Sequence, residues 1–387
     1  MRLSLRKAVT LAAFVAALLL VNVLIGFKLS FSGIENSEKV LGHLRHDNGE
    51  PLSSGSPLHD SLGQDVQSRQ QRSAKSVPRP FLIDNLEPGA EVKSRISNGA
   101  QKGKLSTELA KSQRLSHARP TELGDIFISV KTSGKFHATR LQLVLQTWYL
   151  LAREQTYFFT DKDDPAISQS TGGHLVNTNC TPSHTRQSLC CKTSVEFDAY
   201  LASKKRWMCH FDDDTYVNIP ELVDLLKRYK HTEDWYLGKP SLRHPMEVND
   251  VYNPGAKVTF WFATGSGFCV SRGLALKMMP HAGGGRLKAI GDKLRLPDDC
   301  VIGYIIEHLL KTQLTVIEGF RSHLEALWLI KSTQLKKQIT LSYSKYGDKE
   351  NVVNVAGFSH EEDPTRMKSV HCHLFSTFRE CKKIQHA

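Results

Sequence analysis

At 387 residues and a formal charge of +12, the chain is long enough for two domains by length alone, yet its first third cannot supply one. No Trp or Tyr precedes Trp148, and Phe31 and Phe81 are the only aromatics between Lys28 and Gly124, too little apolar surface to offset the entropy of ordering that stretch. Three basic residues at the extreme amino terminus and a net +4 over residues 28–120 leave +5 for the remainder, without a run of five like charges, which argues against nucleic acid as a partner.

Residues 8–27 are apolar except for Thr10 and Asn22, enough helix to cross a bilayer core of roughly 30 Å. Arg2, Arg6 and Lys7 precede the run and no small-x-small cleavage site follows it before Lys28. The expectation is a signal-anchor with a cytoplasmic tail of residues 1–7 and the rest of the chain lumenal; a cleaved signal peptide is the alternative. Residues 28–120, rich in Ser, Gly, Gln and charge and punctuated by Pro51, Pro57, Pro78, Pro80, Pro88 and Pro120, read as a flexible stem. Within the stem, Arg69-Gln-Gln-Arg72-Ser73 is a minimal basic processing pattern; cleavage after Arg72 would release a soluble form.

The remainder, residues 121–387, reads as one α/β domain. Strands are expected at 125–131, 156–160, 174–177 and 206–211, and helices at 139–152, 188–203, 220–229 and 301–310. Alternation of the two predicts a largely parallel sheet. There is no G-x-G-x-x-G and no Walker loop, so a dinucleotide or P-loop site is not supported. Cys180, Cys190, Cys191, Cys209, Cys269, Cys300, Cys372 and Cys381 show no C-x-x-C spacing. An even count behind a secretory-type segment indicates disulfides in an oxidising lumen, with connectivity left open by counting.

Three features carry candidate chemistry. The apolar strand at 206–211 runs into Asp212, Asp213 and Asp214, at the strand end where α/β sheets gather ligands. Adjacent carboxylates there call for a hard divalent cation, with Asp212 and Asp214 on one face of the extended chain; an acidic loop is the plain alternative. Asp298 and Asp299 precede the helix at 301–310, where an aspartate is most often a cap, and Asp298 is read as one. Asp299 in the first turn reads either as a further capping residue or as a general base. His323 reads either as a metal ligand through a neutral ring nitrogen or as a polar loop residue.

The segments Ile126-Phe-Ile-Ser-Val-Lys-Thr132, Phe158-Phe-Thr-Asp161, Trp207-Met-Cys-His-Phe-Asp-Asp-Asp-Thr-Tyr-Val217, Leu237-Gly-Lys-Pro-Ser-Leu242, Leu296-Pro-Asp-Asp-Cys-Val-Ile-Gly-Tyr304 and Ser322-His-Leu-Glu325 occur in the same order in the Fringe glycosyltransferases, which residues 125–381 resemble. The resemblance implies a GT-A fold in a Golgi membrane enzyme. It also implies inverting β1,3 transfer of N-acetylglucosamine from UDP-N-acetylglucosamine to O-linked fucose on EGF repeats of Notch. Carried over by position, Asp214 and His323 would bind Mn²⁺, Arg140 and Asp213 would contact the donor, and Asp299 would be the base. Disulfides would join Cys180–Cys191, Cys209–Cys269 and Cys372–Cys381, and Asn179 in Asn-Cys-Thr would be a glycosylation site. The chain departs from the family where Gly265-Ser266-Gly267 reads as a glycine loop one residue short, and where Phe375-Ser376 and Glu380 replace an aromatic-proline pair and a tryptophan. A related β1,3-galactosyl- or glucosyltransferase, or a metal-dependent sugar-binding protein without catalysis, are the competing readings.

Overall fold

The computed structural model describes residues 119–347 and 349–386. The expected signal-anchor and processing pattern lie outside the described residues, as does the stem up to residue 118; among the described residues no helix is long and apolar enough to cross a membrane.

Strands β1 (Ile126–Lys131), β2 (Thr156–Thr160), β3 (Leu175–Asn177) and β4 (Trp207–Asp212) are followed by a short β5 (Thr215–Val217). Then come β6 (Tyr236–Pro240), the hairpin of β7 (Met246–Asn249) and β8 (Lys257–Phe260), β9 (Ala263–Ser271), β10 (Leu314–Val316), β11 (Phe320–Arg321) and β12 (Thr340–Ser342). Seven of them form the central sheet in the order β10-β6-β9-β4-β1-β2-β3. Neighbours are parallel except β9, which runs antiparallel to both β4 and β6. This is the largely parallel α/β sheet expected.

The sheet is apolar on both faces because helices cover both, which is why its strands read as continuous rather than alternating apolar runs. In β1, Ile126, Ile128 and Val130 pack with Trp148, Phe211 and Leu222 on one face. Phe127 joins Met208, Phe197, Tyr200 and Ile302 on the other. The helix Arg186–Ser203, capped by the Thr185 side chain on the Ser188 amide, begins two residues earlier than expected and stops at Lys204, whose φ of 56° ends it.

Two expected helices are not continuous. The stretch at 139–152 is a π turn His137–Leu141, an α-helical turn Gln142–Gln146 and a 3₁₀ turn Trp148–Leu151. It breaks at Thr147, whose hydroxyl donates to the Leu143 carbonyl at 2.7 Å, and the break lets the buried Trp148 indole donate to the Thr215 carbonyl at 3.0 Å. The helix expected at 301–310 begins at Asp298, runs as an α-helix to Gly303 and continues as a π turn Tyr304–Leu309. Three disulfides, Cys180–Cys191, Cys209–Cys269 and Cys372–Cys381, have the pairing that the resemblance implies; Cys190 and Cys300 are free and buried.

Candidate active site

Parallel strands β1 and β4 end side by side, with Lys131 in register with Asp212. Because β9 runs the other way, its beginning lies at the same edge of the sheet, with Gly265 against Asp212. The segment read as a shortened glycine loop is therefore strand, not loop. A Cβ on Gly265 would stand 2.6 Å from the Asp212 carboxylate, and one on Gly267, whose φ is 107°, would collide with the Phe211 ring. Both glycines let β9 pass close to the acidic strand end.

A cavity of about 430 Å³ opens at this edge. It is lined by Arg140, Asp213, Asp214, Asp299 and His323, so the five positions singled out for donor, metal and base share one cleft. Each arrives by a different route. The π turn presents Arg140, in keeping with the frequent use of such turns at functional sites. The strand end of β4 presents the aspartates. The alternation expected to set Asp212 and Asp214 apart from Asp213 does not hold, because β4 ends at Asp212 and the chain turns, leaving all three on the cavity wall.

His323 is brought in by a second, three-stranded sheet of order β11-β12-β5. β5 starts directly after Asp214 and β11 ends two residues before His323, and both pair with β12, Tyr216 with Leu341 and Arg321 with Leu341. Asn351 holds the His323 carbonyl at 2.9 Å, and the side chain is exposed at the cavity wall.

The aspartates are not equivalent. Asp213 is buried, accepts from the Thr132 hydroxyl at 2.7 Å and from Arg140 at 3.2 Å, and burial raises its pKa above the ordinary carboxylate range. Arg140 also reaches Asp214 at 3.2 Å and lies over the Phe136 ring at 4.1 Å. Burial, then the negative charge of Asp212, push Asp214 up to about 7 against the opposing pull of Arg140. Asp212 is lowered instead: burial opposes its charge, but Lys131 at 3.1 Å and His210 at 3.7 Å overcome it. His210 in turn is held by Glu196 at 2.6 Å and raised to about 9, despite burial acting the other way.

Asp298 is not the helix cap that its position suggested. The capping position is Pro297, and the buried Asp298 carboxylate accepts from Lys131 at 2.6 Å and from the Thr193 hydroxyl at 2.6 Å. Asp299, one residue on, accepts from the Cys300 amide at 2.8 Å and lines the cavity. Burial, then Asp298, raise it to about 6, with Lys131 acting against them. Burial also drives both free thiols up, Cys190 to about 12 and Cys300 further, leaving them poor nucleophiles.

Lys131, Thr132, Thr193 and Gly265 were not singled out from sequence. A lone lysine closing an apolar strand is a faint signal for Lys131, but its meaning depends on which strand lies alongside.

A Fringe-like family model matches residues 121–378. The Fringe glycosyltransferase of Drosophila melanogaster is similar at 45% identity, covering 89% of this chain and 86% of that protein. The Danio rerio protein named β1,3-N-acetylglucosaminyltransferase lunatic fringe is 52% identical over 65% of this chain and 68% of its own length. The Gallus gallus protein named β1,3-N-acetylglucosaminyltransferase radical fringe is 52% identical over 66% and 70%. Among solved structures, a galactosyltransferase crystallised with donor and acceptor sugar analogues has a TM-score of 0.37 and 12% identity, over 66% of this chain and 99% of that one, too slight a likeness to bear on function.

Proposed function

The chain is a glycosyltransferase belonging to the Fringe family, and we propose that it transfers N-acetylglucosamine from UDP-N-acetylglucosamine, with inversion, to the 3-hydroxyl of O-linked fucose on EGF repeats. In that reading the domain is of GT-A type, the substrates are Notch receptors and the product modulates their signalling. The chain sits in the Golgi membrane by its signal-anchor, is released if cut after Arg72, and carries a glycan on Asn179, which is exposed. The observation that carries the proposal is the shared cleft: the Asp299 carboxylate lines the same cavity as an acidic strand end, an arginine and a histidine.

Asp299 accepts the proton of the acceptor hydroxyl as its oxygen attacks the anomeric carbon, and the bond from that carbon to the diphosphate breaks on the opposite face. One base suffices, and no covalent enzyme intermediate forms. Arg140 and Asp213 hold the donor nucleotide. The residues also fit a divalent cation: Asp214 is a carboxyl whose ionisation is opposed by burial and by Asp212, so a cation beside it offsets both, and His323 lines the same cavity. No group of three potential ligands is found among the described residues, so Asp214 and His323 would hold the cation with oxygen donors from outside the chain. Oxygen-rich donors of this kind suit Mn²⁺, which when bound offsets charge on the departing diphosphate.

The test is sugar transfer by the full chain to a fucosylated EGF repeat from UDP-N-acetylglucosamine or UDP-galactose, with and without manganese. The expected result is manganese-dependent transfer of N-acetylglucosamine that drops at least about 10²-fold in Asp299→Asn while UDP binding persists. Turnover only with UDP-galactose or only on another glycan would redirect the substrate assignment. Acceptor binding without UDP release would leave a sugar-binding role, and a wild-type rate in Asp299→Asn would remove the base.

A further inference from the structure

Lys131 has no role in the transfer as proposed above, yet it lines the same cavity and its ammonium is held by two carboxylates. Its side chain is 12% exposed, a position unfavourable to a charged group unless it is paired. It is paired twice, 3.1 Å from Asp212 and 2.6 Å from Asp298. Those two carboxylates belong to different parts of the site. Asp212 ends the strand that leads into Asp213 and Asp214, the proposed donor and metal residues, whereas Asp298 starts the helix that carries Asp299. A lysine suits the task as a compact point charge with several donors on one nitrogen. Thr193, from the helix Arg186–Ser203, holds the same Asp298 oxygen at 2.6 Å, so Asp298 is fixed from two sides and Asp299 follows it by one residue.

We propose that Lys131 is a positioning residue for the transfer reaction, its ammonium clamping the base-bearing end of the helix Asp298–Gly303 to the donor-binding end of β4. This rests on Asp299 being the base. Its consequence is a separation of functions: the clamp sets the distance between base and donor, whereas donor affinity comes from Arg140, Asp213 and the metal.

The experiment compares Lys131→Met with Lys131→Met/Asp298→Asn in the full chain, reading kcat, KM for the nucleotide sugar, UDP affinity and thermal melting. Lys131→Met is expected to lower kcat by about 10²-fold, the scale of an ångström-sized misplacement of reacting groups, while KM and UDP affinity stay within about threefold. The double variant removes the Asp298 charge together with its partner and leaves Asp212, 30% exposed, beside His210 at 3.7 Å; it is expected to fold, with a kcat no lower than that of Lys131→Met, because Asp298→Asn acts on a contact that the first change has already broken. A kcat within about twofold of wild type in either variant would overturn the clamp. So would a fall in UDP affinity as large as the fall in kcat, or failure of the double variant to fold, which would mark the pair as structural. These results leave the base assignment standing; a wild-type rate in Asp299→Asn removes the base, and the clamp with it.

Discussion

Asp299 holds its proton more tightly than an exposed aspartate because burial, and then the neighbouring Asp298 charge, penalise the anion, with its pKa raised to about 6. In the proposed transfer the carboxylate is the form that accepts the acceptor's proton, so kcat/KM should climb with pH through about 6 and level off above. At pH 5 roughly a tenth of the plateau is expected, from the ionised fraction. Manganese must be saturating in this measurement so that Asp214, raised to about 7 on its own, remains ionised throughout; a profile flat from about pH 4.5 to 8 would exclude Asp299 as the titrating base. At this scale the sequence disclosed the residues with a distinctive setting, three carboxylates after a buried strand and one in a helix's first turn. It concealed Lys131, whose role exists only through the register that sets it beside Asp212. It misdirected on Asp298, since an aspartate at a helix start usually caps and this one faces a lysine instead.

At the level of elements, the approach of β9 to β4 is the contact on which the acidic wall depends. Gly265→Ala places a methyl 2.6 Å from the Asp212 carboxylate, so the strand end that leads into Asp213 and Asp214 must shift away from β9. The expected outcome is a roughly tenfold loss in donor affinity, about 1.4 kcal/mol, with little change in melting temperature. Gly124→Ala is the control, as its added methyl meets nothing within 4 Å. Titration of UDP with manganese checks both; unchanged affinity in Gly265→Ala would show that the strand end tolerates the shift. Strand and helix order was legible because buried apolar runs and capped helices leave periodic signals. The breaks were not: Thr147 interrupts the helix just before the buried Trp148 and the π turn His137–Leu141 carries Arg140, and no local pattern encodes either.

For the molecule as a whole, the disulfide Cys209–Cys269 joins register partners of β4 and β9 at the centre of the sheet. Replacing both cysteines by alanine is expected to cost about 2–4 kcal/mol of stability, read by chemical denaturation, with residual activity falling in step with the folded fraction. Activity lost well before unfolding would instead show that the crosslink also tunes the acidic wall. The overall α/β architecture and the pairing of cysteines followed from alternation and from family resemblance. The small sheet did not, because β11 and β12 are two and three residues long and become recognisable only when β5 is set against them. That small sheet has an outcome for biosynthesis. Until β12 has emerged from the ribosome, β5 and β11 lack the strand that both pair with. A chain that stops before β12 holds the acidic residues without the strand that joins β5 to β11, so sugar transfer is expected only from chains that include residues 340–342.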